Sequence, residues 1–311
     1  MYFNLSGAGK YFYTALMAGG LLALAANSPS FANDENNCIG SDNDSALAAC
    51  DRAIRRNPHN WRSLLSRGEI YLFRADYKRA IDDFTIAIKL APKEFFPVHS
   101  RGLSYLRMGD YDRAIADYDR AIKLFPLTGF TFSQRGLAYA EKGQFDLAVR
   151  DFSEAIRIAP SEPFPWYRRG RLHFSTADYQ AAASDFANSI KNMRELRLRP
   201  SPQTVAALYL ARTRIGDQNA RQELALNTAT LDPYEWGTSI ARMFLEEAKP
   251  DQVLGKAPKD EICSARFYIA HWHLLQNERE RAIELLRLVD KGCTLGTYGH
   301  DASAELRRMG L

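Results

Sequence analysis

Small and aromatic residues recur along the chain at a fixed interval of 34 residues between Trp61 and Arg194. An aromatic residue or histidine follows each glycine of the repeat by three positions, an alanine by twelve and a second aromatic residue by sixteen. These positions hold Gly68, Gly102, Gly136 and Gly170; Tyr71, Tyr105, Tyr139 and His173; Ala80, Ala114, Ala148 and Ala182; and Phe84, Tyr118, Phe152 and Phe186. Such a period predicts a solenoid in which every unit is one helix pair.

On these residues the chain resembles the tetratricopeptide repeat family. The resemblance implies an all-α fold in which each repeat is an antiparallel pair of helices, A and B, and successive pairs stack. The residue types fit this fold, because only glycine or alanine has room where helix A crosses helix B. A bulky side chain there would overpack the crossing and cost about 1 to 3 kcal/mol.

The remaining segments fit this scheme less regularly. Ala46, Cys50, Ala53 and Pro58 match a second helix without its first, whereas Tyr209 and Arg221 are bulky at positions that are normally small. We therefore predict an N-terminal cap with a half repeat over 33–58, four repeats over 59–196, a connector, degenerate repeat and extra helix over 197–262, and a final repeat with a capping helix over 263–311. We interpret 194–203 as a longer connector rather than a basic contact patch, because Pro200 and Pro202 interrupt it.

The first 32 residues have the features of a secretory signal. Lys10 is their only charged residue, and an apolar run extends from Tyr11 to Ala26 before Pro29. We predict cleavage after Ala32, a periplasmic mature chain and no stable membrane anchor. The alternative is an uncleaved anchor, although the apolar run is shorter than the roughly 20 residues that a membrane span needs.

All four cysteines follow this segment, and an even number of cysteines in an exported chain favours disulfides. A Cys38–Cys50 bond would tie the N-terminal loop to the half repeat. Cys263 begins the first helix and Cys293 ends the second helix of the final repeat, so an antiparallel hairpin would bring them together. We predict both pairs.

Charge and motif content exclude several function classes. The net charge of +4 is too small to suggest a nucleic-acid partner. No nucleophile motif, phosphate loop or zinc-binding spacing occurs, and His271 and His273 would point to different faces of a helix. We therefore expect no enzymatic activity, metal or cofactor. Arginine precedes each repeat glycine and aspartate recurs on each helix B, which we interpret as internal ion pairs rather than an anion-binding ladder.

The predicted binding surface is the concave face formed by successive helices A. Its candidate residues are Phe96, His99, Leu103, Phe130, Leu137, Phe164, Tyr167, Arg171 and Phe174. Phe96, Phe130 and Phe164 occupy one equivalent position per repeat, so they would form an aromatic row suited to the apolar anchors of an extended or helical peptide. In the alternative interpretation, these phenylalanines pack against the preceding repeat.

The later part of the chain resembles the bacterial NlpI lipoprotein family. Glu235, Trp236 and Gly237 precede an apolar helix with Ile240 and Phe244, and 264–270 opens the final repeat with Ser-Ala-Arg-Phe-Tyr-Ile-Ala. The resemblance implies a periplasmic adaptor, usually a homodimer, that binds a tail-specific protease and cell-wall hydrolases; an exposed Trp236 helix would be a natural dimer surface. The chain departs from the family in lacking a lipobox cysteine and in carrying four other cysteines.

The sequence therefore predicts a non-catalytic periplasmic scaffold that binds another protein or peptide and serves cell-envelope maintenance. Two alternatives remain open: a structural scaffold of an envelope complex, and a peptidoglycan- or carbohydrate-binding module.

Overall fold

The computed structural model describes Cys38 and residues 44–293 and 297–311. The predicted signal segment 1–32 lies outside these residues, as does nearly all of the loop that follows it. Within the described ranges the regular structure is helical, and none of these helices is long and apolar enough to cross a membrane. The predicted all-α class is confirmed.

Sixteen α-helices follow one another along the described chain. They are α1 (Asp44–Arg56), α2 (Trp61–Phe73), α3 (Tyr77–Leu90), α4 (Phe95–Arg107), α5 (Tyr111–Leu124), α6 (Gly129–Glu141), α7 (Phe145–Ile158), α8 (Pro163–Ser175), α9 (Tyr179–Glu195), α10 (Pro202–Arg214), α11 (Ala220–Thr228), α12 (Thr238–Phe244), α13 (Pro250–Lys256), α14 (Ile262–Leu275), α15 (Arg279–Gly292) and α16 (Thr297–Arg308). A short 3₁₀ turn, Lys259–Glu261, precedes α14.

The chain divides into two compact units, one ending at Ala138 and the other beginning at Tyr139. In the N-terminal unit, helices α1 to α5 pack as successive neighbours, α1 on α2 and so on. In the C-terminal unit, one continuous apolar core includes residues of α8 to α10, α12 and α14 to α16.

The turns between the helices of a pair repeat their chemistry every 34 residues. Asp76, Asp110 and Asp178 each accept a hydrogen bond from a backbone N–H in the first turn of the following helix, at 3.1 to 3.2 Å. These aspartates satisfy N–H groups that the helix itself leaves unpaired. One residue of each turn has a left-handed backbone: Ala75, Gly109, Gly143 and Ala177, with φ from 58° to 79°.

The close crossing of helices A and B explains the repeat glycines. A Cβ atom added at Gly68 would lie 2.6 Å from Cε1 of Phe84, and one at Gly170 would lie 2.9 Å from Cε1 of Phe186. Both rings are fully buried. The aromatic residue of helix B therefore fills the volume that glycine leaves on helix A.

Both predicted cysteine pairs lie at disulfide distance. The Sγ atoms of Cys38 and Cys50 are 2.10 Å apart, and those of Cys263 and Cys293 are 2.01 Å apart. The second pair joins the start of α14 to the residue that follows α15, as expected for an antiparallel hairpin.

The bulky residues of the degenerate region contact the helix that follows it. The ring of Tyr209 packs on Phe244 at 5.3 Å, and Arg221 donates to the carbonyl oxygens of Phe244 and Leu245. The bulky residues thus accommodate α12, an inserted helix. A second short helix, α13, follows α12, and its Val253 is buried in the core.

The Trp236 helix does not present the exposed apolar surface that we expected for a dimer. Ile240 and Met243 of α12 are fully buried within the C-terminal unit, and Trp236 is half-buried against the same core. The reason is that α12 packs on α10 and α14 of its own chain.

We predict that Gly68→Ala lowers the free energy of unfolding, because its methyl group meets the buried Phe84 ring. The overpacking cost of about 1 to 3 kcal/mol opposes a gain of about 1 kcal/mol in helix propensity. Gly255→Ala is the matched control, since that helical glycine has open space around it. Urea unfolding followed by circular dichroism measures both; a Gly68→Ala protein as stable as the control variant would contradict the packing argument.

Candidate protein-binding surfaces

The recurring arginines form hydrogen bonds with neighbouring helices of the stack. Arg67, Arg101 and Arg169 each donate two hydrogen bonds, at 2.7 to 2.8 Å, to the aspartate sixteen residues later on their own helix B. Each also donates to a side chain sixteen residues earlier, on the preceding helix: Asp51, Thr85 and Ser153 respectively. One guanidinium therefore joins three helices. The interpretation as internal ion pairs is confirmed for these arginines, which are not an exposed anion-binding ladder.

The predicted groove residues of the N-terminal unit divide by burial. Phe130 is exposed, Phe96 and Leu137 are half-buried, and His99 and Leu103 are buried. The burial of His99 contradicts its expected place on an open groove wall, because Phe95 and Phe130 cover its ring. Leu103 is likewise inaccessible, since it belongs to the core around Tyr118.

The phenylalanines of the aromatic row pack against the preceding repeat, and part of the row is also accessible to a ligand. Phe96 packs on the core that contains Leu65 and Phe84 of the preceding repeat. Phe130 packs on His99 of the preceding repeat, with ring centroids 5.2 Å apart, yet about half of its surface stays exposed. Packing against the previous unit therefore positions these rings, and at Phe130 it still leaves an accessible face.

Five rings form a connected group that we call the Phe95 cluster: Phe95, Phe96, His99, Phe125 and Phe130. Phe95 contacts Phe96 at 5.3 Å, His99 at 5.3 Å and Phe125 at 5.8 Å between ring centroids. Phe125 is 52% exposed, Phe130 48% and the nearby Leu127 71%. The cluster thus presents an apolar surface around the 125–130 connection.

Sequence reasoning missed Phe95, Phe125 and Leu127. These residues lie outside the helix A positions from which the groove was predicted. A signal was present, because the connection reads Phe-Pro-Leu-Thr-Gly-Phe, whereas connections between helices are normally polar.

The Phe95 cluster carries no charge at neutral pH. Burial lowers the pKa of His99 to about 4, so its imidazole is neutral. The Nδ1 atom of His99 lies 3.1 Å from the hydroxyl oxygen of Thr131, which fixes the ring between its aromatic neighbours. The cluster therefore suits an apolar ligand.

The predicted groove residues of the C-terminal unit are mostly covered. Phe164 is 41% exposed, but Tyr167, Arg171 and Phe174 are buried. Arg171 forms an ion pair with Asp301 of α16, and its guanidinium carbon lies 3.9 Å from the ring centroid of Tyr298. The ring of Phe174 contacts His271 of α14 at 5.7 Å. The expectation of an open groove at these three residues is wrong, because α14 and α16 occupy the space.

The last helix contacts more of the chain than the final repeat that it was predicted to cap. It begins at Thr297 and ends at Arg308, and it packs on α8 as well as on α14 and α15. It therefore covers a helix A of the predicted groove in addition to the final hairpin.

Consecutive antiparallel helix pairs with glycine at the crossings of Gly68, Gly102 and Gly170 define a helical repeat protein of the kind that typically binds other proteins without catalysing a reaction. The tetratricopeptide repeat profile matches residues 40–95, 99–163 and 133–201, together a little more than half of the chain. The chain belongs to the tetratricopeptide repeat family. No curated protein shows a significant sequence match.

Several solved structures have a similar fold at low sequence identity. PilW, a widely conserved type IV pilus biogenesis factor, is 18% identical over 70% of this chain and 100% of PilW, with a TM-score of 0.59. A tetratricopeptide repeat protein of Parabacteroides merdae is 17% identical over 83% of this chain and 93% of its own, with a TM-score of 0.53. YrrB, a protein with an unusual peptide-binding site, is 15% identical over 64% of this chain and 100% of YrrB, with a TM-score of 0.50.

We predict that Arg101→Met lowers the free energy of unfolding by about 3 to 5 kcal/mol, because it leaves the buried carboxylate of Asp117 without its bidentate partner. Arg113→Met is the control: its ion pair with Asp110 is exposed to solvent, which screens the attraction, so its loss should change stability far less. Chemical denaturation of both variants measures the difference. Equal losses from the two substitutions would show that burial does not set the strength of the pair.

The stability of the protein at acidic pH depends on His99. The folded-state pKa of His99, about 4, is below its ordinary value of 6.5, so the unfolded chain takes up the proton first and stability falls as pH drops from 6.5 towards 4. His99→Phe removes this contribution, which amounts to roughly 2 kcal/mol at about pH 4.5. Urea midpoints at about pH 7 and pH 4.5 test it. An identical decrease in both proteins would contradict a neutral, buried His99.

Proposed function

We propose that this protein is a non-catalytic periplasmic scaffold that binds an apolar segment of a partner protein through the Phe95 cluster. The observation that carries the proposal is the exposure of Phe125, Leu127 and Phe130 beside the half-buried rings of Phe95 and Phe96 and the buried, uncharged ring of His99. Exposed aromatic anchors held rigidly by their neighbours are typical of the few residues that dominate binding energy at protein interfaces.

The chemistry of the cluster favours a peptide over a carbohydrate. Its exposed side chains are hydrocarbon, and the polar atoms of His99 and Thr131 are buried. Sugars require hydrogen-bond partners as well as stacking surfaces, since a hydroxyl that loses water without replacement costs free energy. A hydrophobic peptide side chain has no such requirement.

The periplasmic location rests on the predicted signal segment and is supported by two cysteine pairs at disulfide distance, which are typical of oxidising compartments. The more specific role, an adaptor for a tail-specific protease or a peptidoglycan hydrolase, rests on the resemblance of the Trp236 and Phe267 regions to the NlpI family. That resemblance also carries the proposal of a homodimer. YrrB, which is named for its peptide-binding site, provides a precedent for peptide binding on a similar fold.

The direct test compares the mature chain with the triple variant Phe125→Ser, Leu127→Ser, Phe130→Ser. Both serve as bait in a periplasmic extract, and the affinity of each purified partner is then measured by calorimetry. We expect the triple variant to lose about 30-fold or more in affinity, equivalent to roughly 2 kcal/mol from a cluster of anchors.

A double variant, Leu226→Ser with Tyr234→Ser, is the matched control because both residues are exposed and belong to the C-terminal unit rather than to the unit that carries the cluster. It should bind as the unaltered chain does. Equal partner recovery by the triple variant would refute the proposed surface. Sedimentation with purified peptidoglycan in the absence of protein partners would instead favour the carbohydrate-binding alternative.

A further inference from the structure

The C-terminal helix occupies a surface where helical repeat proteins can bind ligands. We call this surface the Arg171 face; it consists of Tyr167, Arg171, Phe174, Arg214, Tyr268 and His271. Tyr167, Arg171 and Phe174 lie at positions of helix A that the repeat pattern predicts to line the groove. In the structure α16 lies over them, and all of the contacts described below fall within the C-terminal unit.

The side of α16 that meets the Arg171 face carries two buried carboxylates. Asp301 and Glu305 are only 5% and 2% exposed. Asp301 accepts hydrogen bonds from Arg171 and from the hydroxyl of Ser175. Glu305 accepts a hydrogen bond from Arg214 at 2.5 Å and is also paired with Arg308 of its own helix. Being four residues apart, the two carboxylates project from one side of the helix towards two arginines of the face.

Glu305 and Arg171 keep their charge although both are buried. Burial alone would raise the pKa of Glu305, but His271, Arg214 and Arg308 together lower it to about 2. Arg171 keeps its charge despite full burial, because Asp301 raises its pKa. The carboxylates of α16 therefore match positive charge on the surface below.

Tyr298 adds an aromatic contact between α16 and the Arg171 face. Tyr298, one turn before Asp301, stacks under Arg171 and contacts the ring of Phe267 at 5.3 Å. The hydroxyl of Tyr298 accepts a hydrogen bond from Ser264 at 3.2 Å. The docked helix thus offers a tyrosine, an aspartate and a glutamate spaced three and four residues apart.

This chemistry differs from that of a helix that only closes an apolar core. Buried ion pairs pay a desolvation penalty that can exceed their attraction, and well-packed apolar residues of similar size often stabilise more. Buried charges instead reject a surface that lacks complementary groups, which makes them suited to selecting one binding partner and register. The contact between α16 and the Arg171 face has this selective character.

We propose that the Arg171 face is a second ligand site, which takes an acidic amphipathic helix with tyrosine, aspartate and glutamate spaced as in α16, and that α16 is its built-in competitor. A partner helix of this chemistry replaces α16 by making the same ion pairs with Arg171 and Arg214. The proposal is independent of the Phe95 cluster.

The test uses the full mature chain and a fluorescent peptide that spans residues 296–311. In the unaltered protein α16 competes from within the chain, so the peptide binds weakly. Asp301→Asn with Glu305→Gln weakens the internal helix but leaves the Arg171 face intact. This variant should therefore bind the unaltered peptide about tenfold or more tightly than the original chain does, as measured by fluorescence anisotropy.

Two controls separate selective binding from general loosening. A peptide that carries the same Asn and Gln substitutions should not bind the variant, and Arg307→Gln, at an exposed position of α16, should leave peptide binding as weak as in the unaltered chain. Equal binding of both peptides would overturn the proposal, because the ion pairs would then not select the ligand.

Hydrogen exchange on the unaltered chain provides a second, independent measurement. If α16 is a competitor, its amides should exchange through a local opening that leaves α10 and α14 protected. Exchange of α16 only together with those core helices would show that it is an inseparable part of the fold and would overturn the proposal. A variant with a released α16 that still fails to bind the peptide would have the same meaning.

Discussion

The close approach of helix A to helix B at each repeat glycine is the constraint on which the rest of the structure depends. An aromatic ring of helix B occupies the space that a side chain at Gly68 or Gly170 would need. This contact fixes the distance and register of the pair, and the register brings each arginine within reach of an aspartate sixteen residues later. Charge pairing between helices thus follows from steric fit, since bidentate geometry tolerates little displacement.

The same register determines what remains available to a ligand. Because the arginines are engaged by aspartates inside the stack, the N-terminal unit presents rings rather than charges near its 125–130 connection. His99 adds to this character, since burial keeps it neutral. In the C-terminal unit, Arg171 lies two residues beyond the paired Arg169 and thus on another side of α8, where it meets a carboxylate from α16. On one side of α8, Arg169 therefore pairs within the helix stack. On another side, Arg171 pairs with a residue of α16, the helix that we propose to be displaceable.

The parts of the fold that the sequence predicts are those set by short-range periodicity. Repeat glycines, aromatic partners, internal ion pairs and the approach of Cys263 to Cys293 all follow from the 34-residue register. The burial of Tyr167 and Arg171 does not follow from it, because the covering residue Asp301 is 130 positions away from Arg171 in the chain. The inserted helix α12 was also unpredictable in its packing, since Tyr209 and Arg221 break the pattern and take their partners from outside the repeat.

The two proposed surfaces would bind by different physical principles, and this difference matters for how a scaffold could use them. At the Phe95 cluster, the free energy comes from removing exposed hydrocarbon from water, a non-directional effect that accepts many apolar sequences. At the Arg171 face, the ion pairs contribute little net affinity but penalise any helix that lacks carboxylates at the right spacing. Because α16 already forms those ion pairs, a partner helix must displace it, which raises the affinity that the partner needs. Selectivity in the C-terminal unit therefore arises from competition, whereas capture by the N-terminal unit needs only exposed apolar surface.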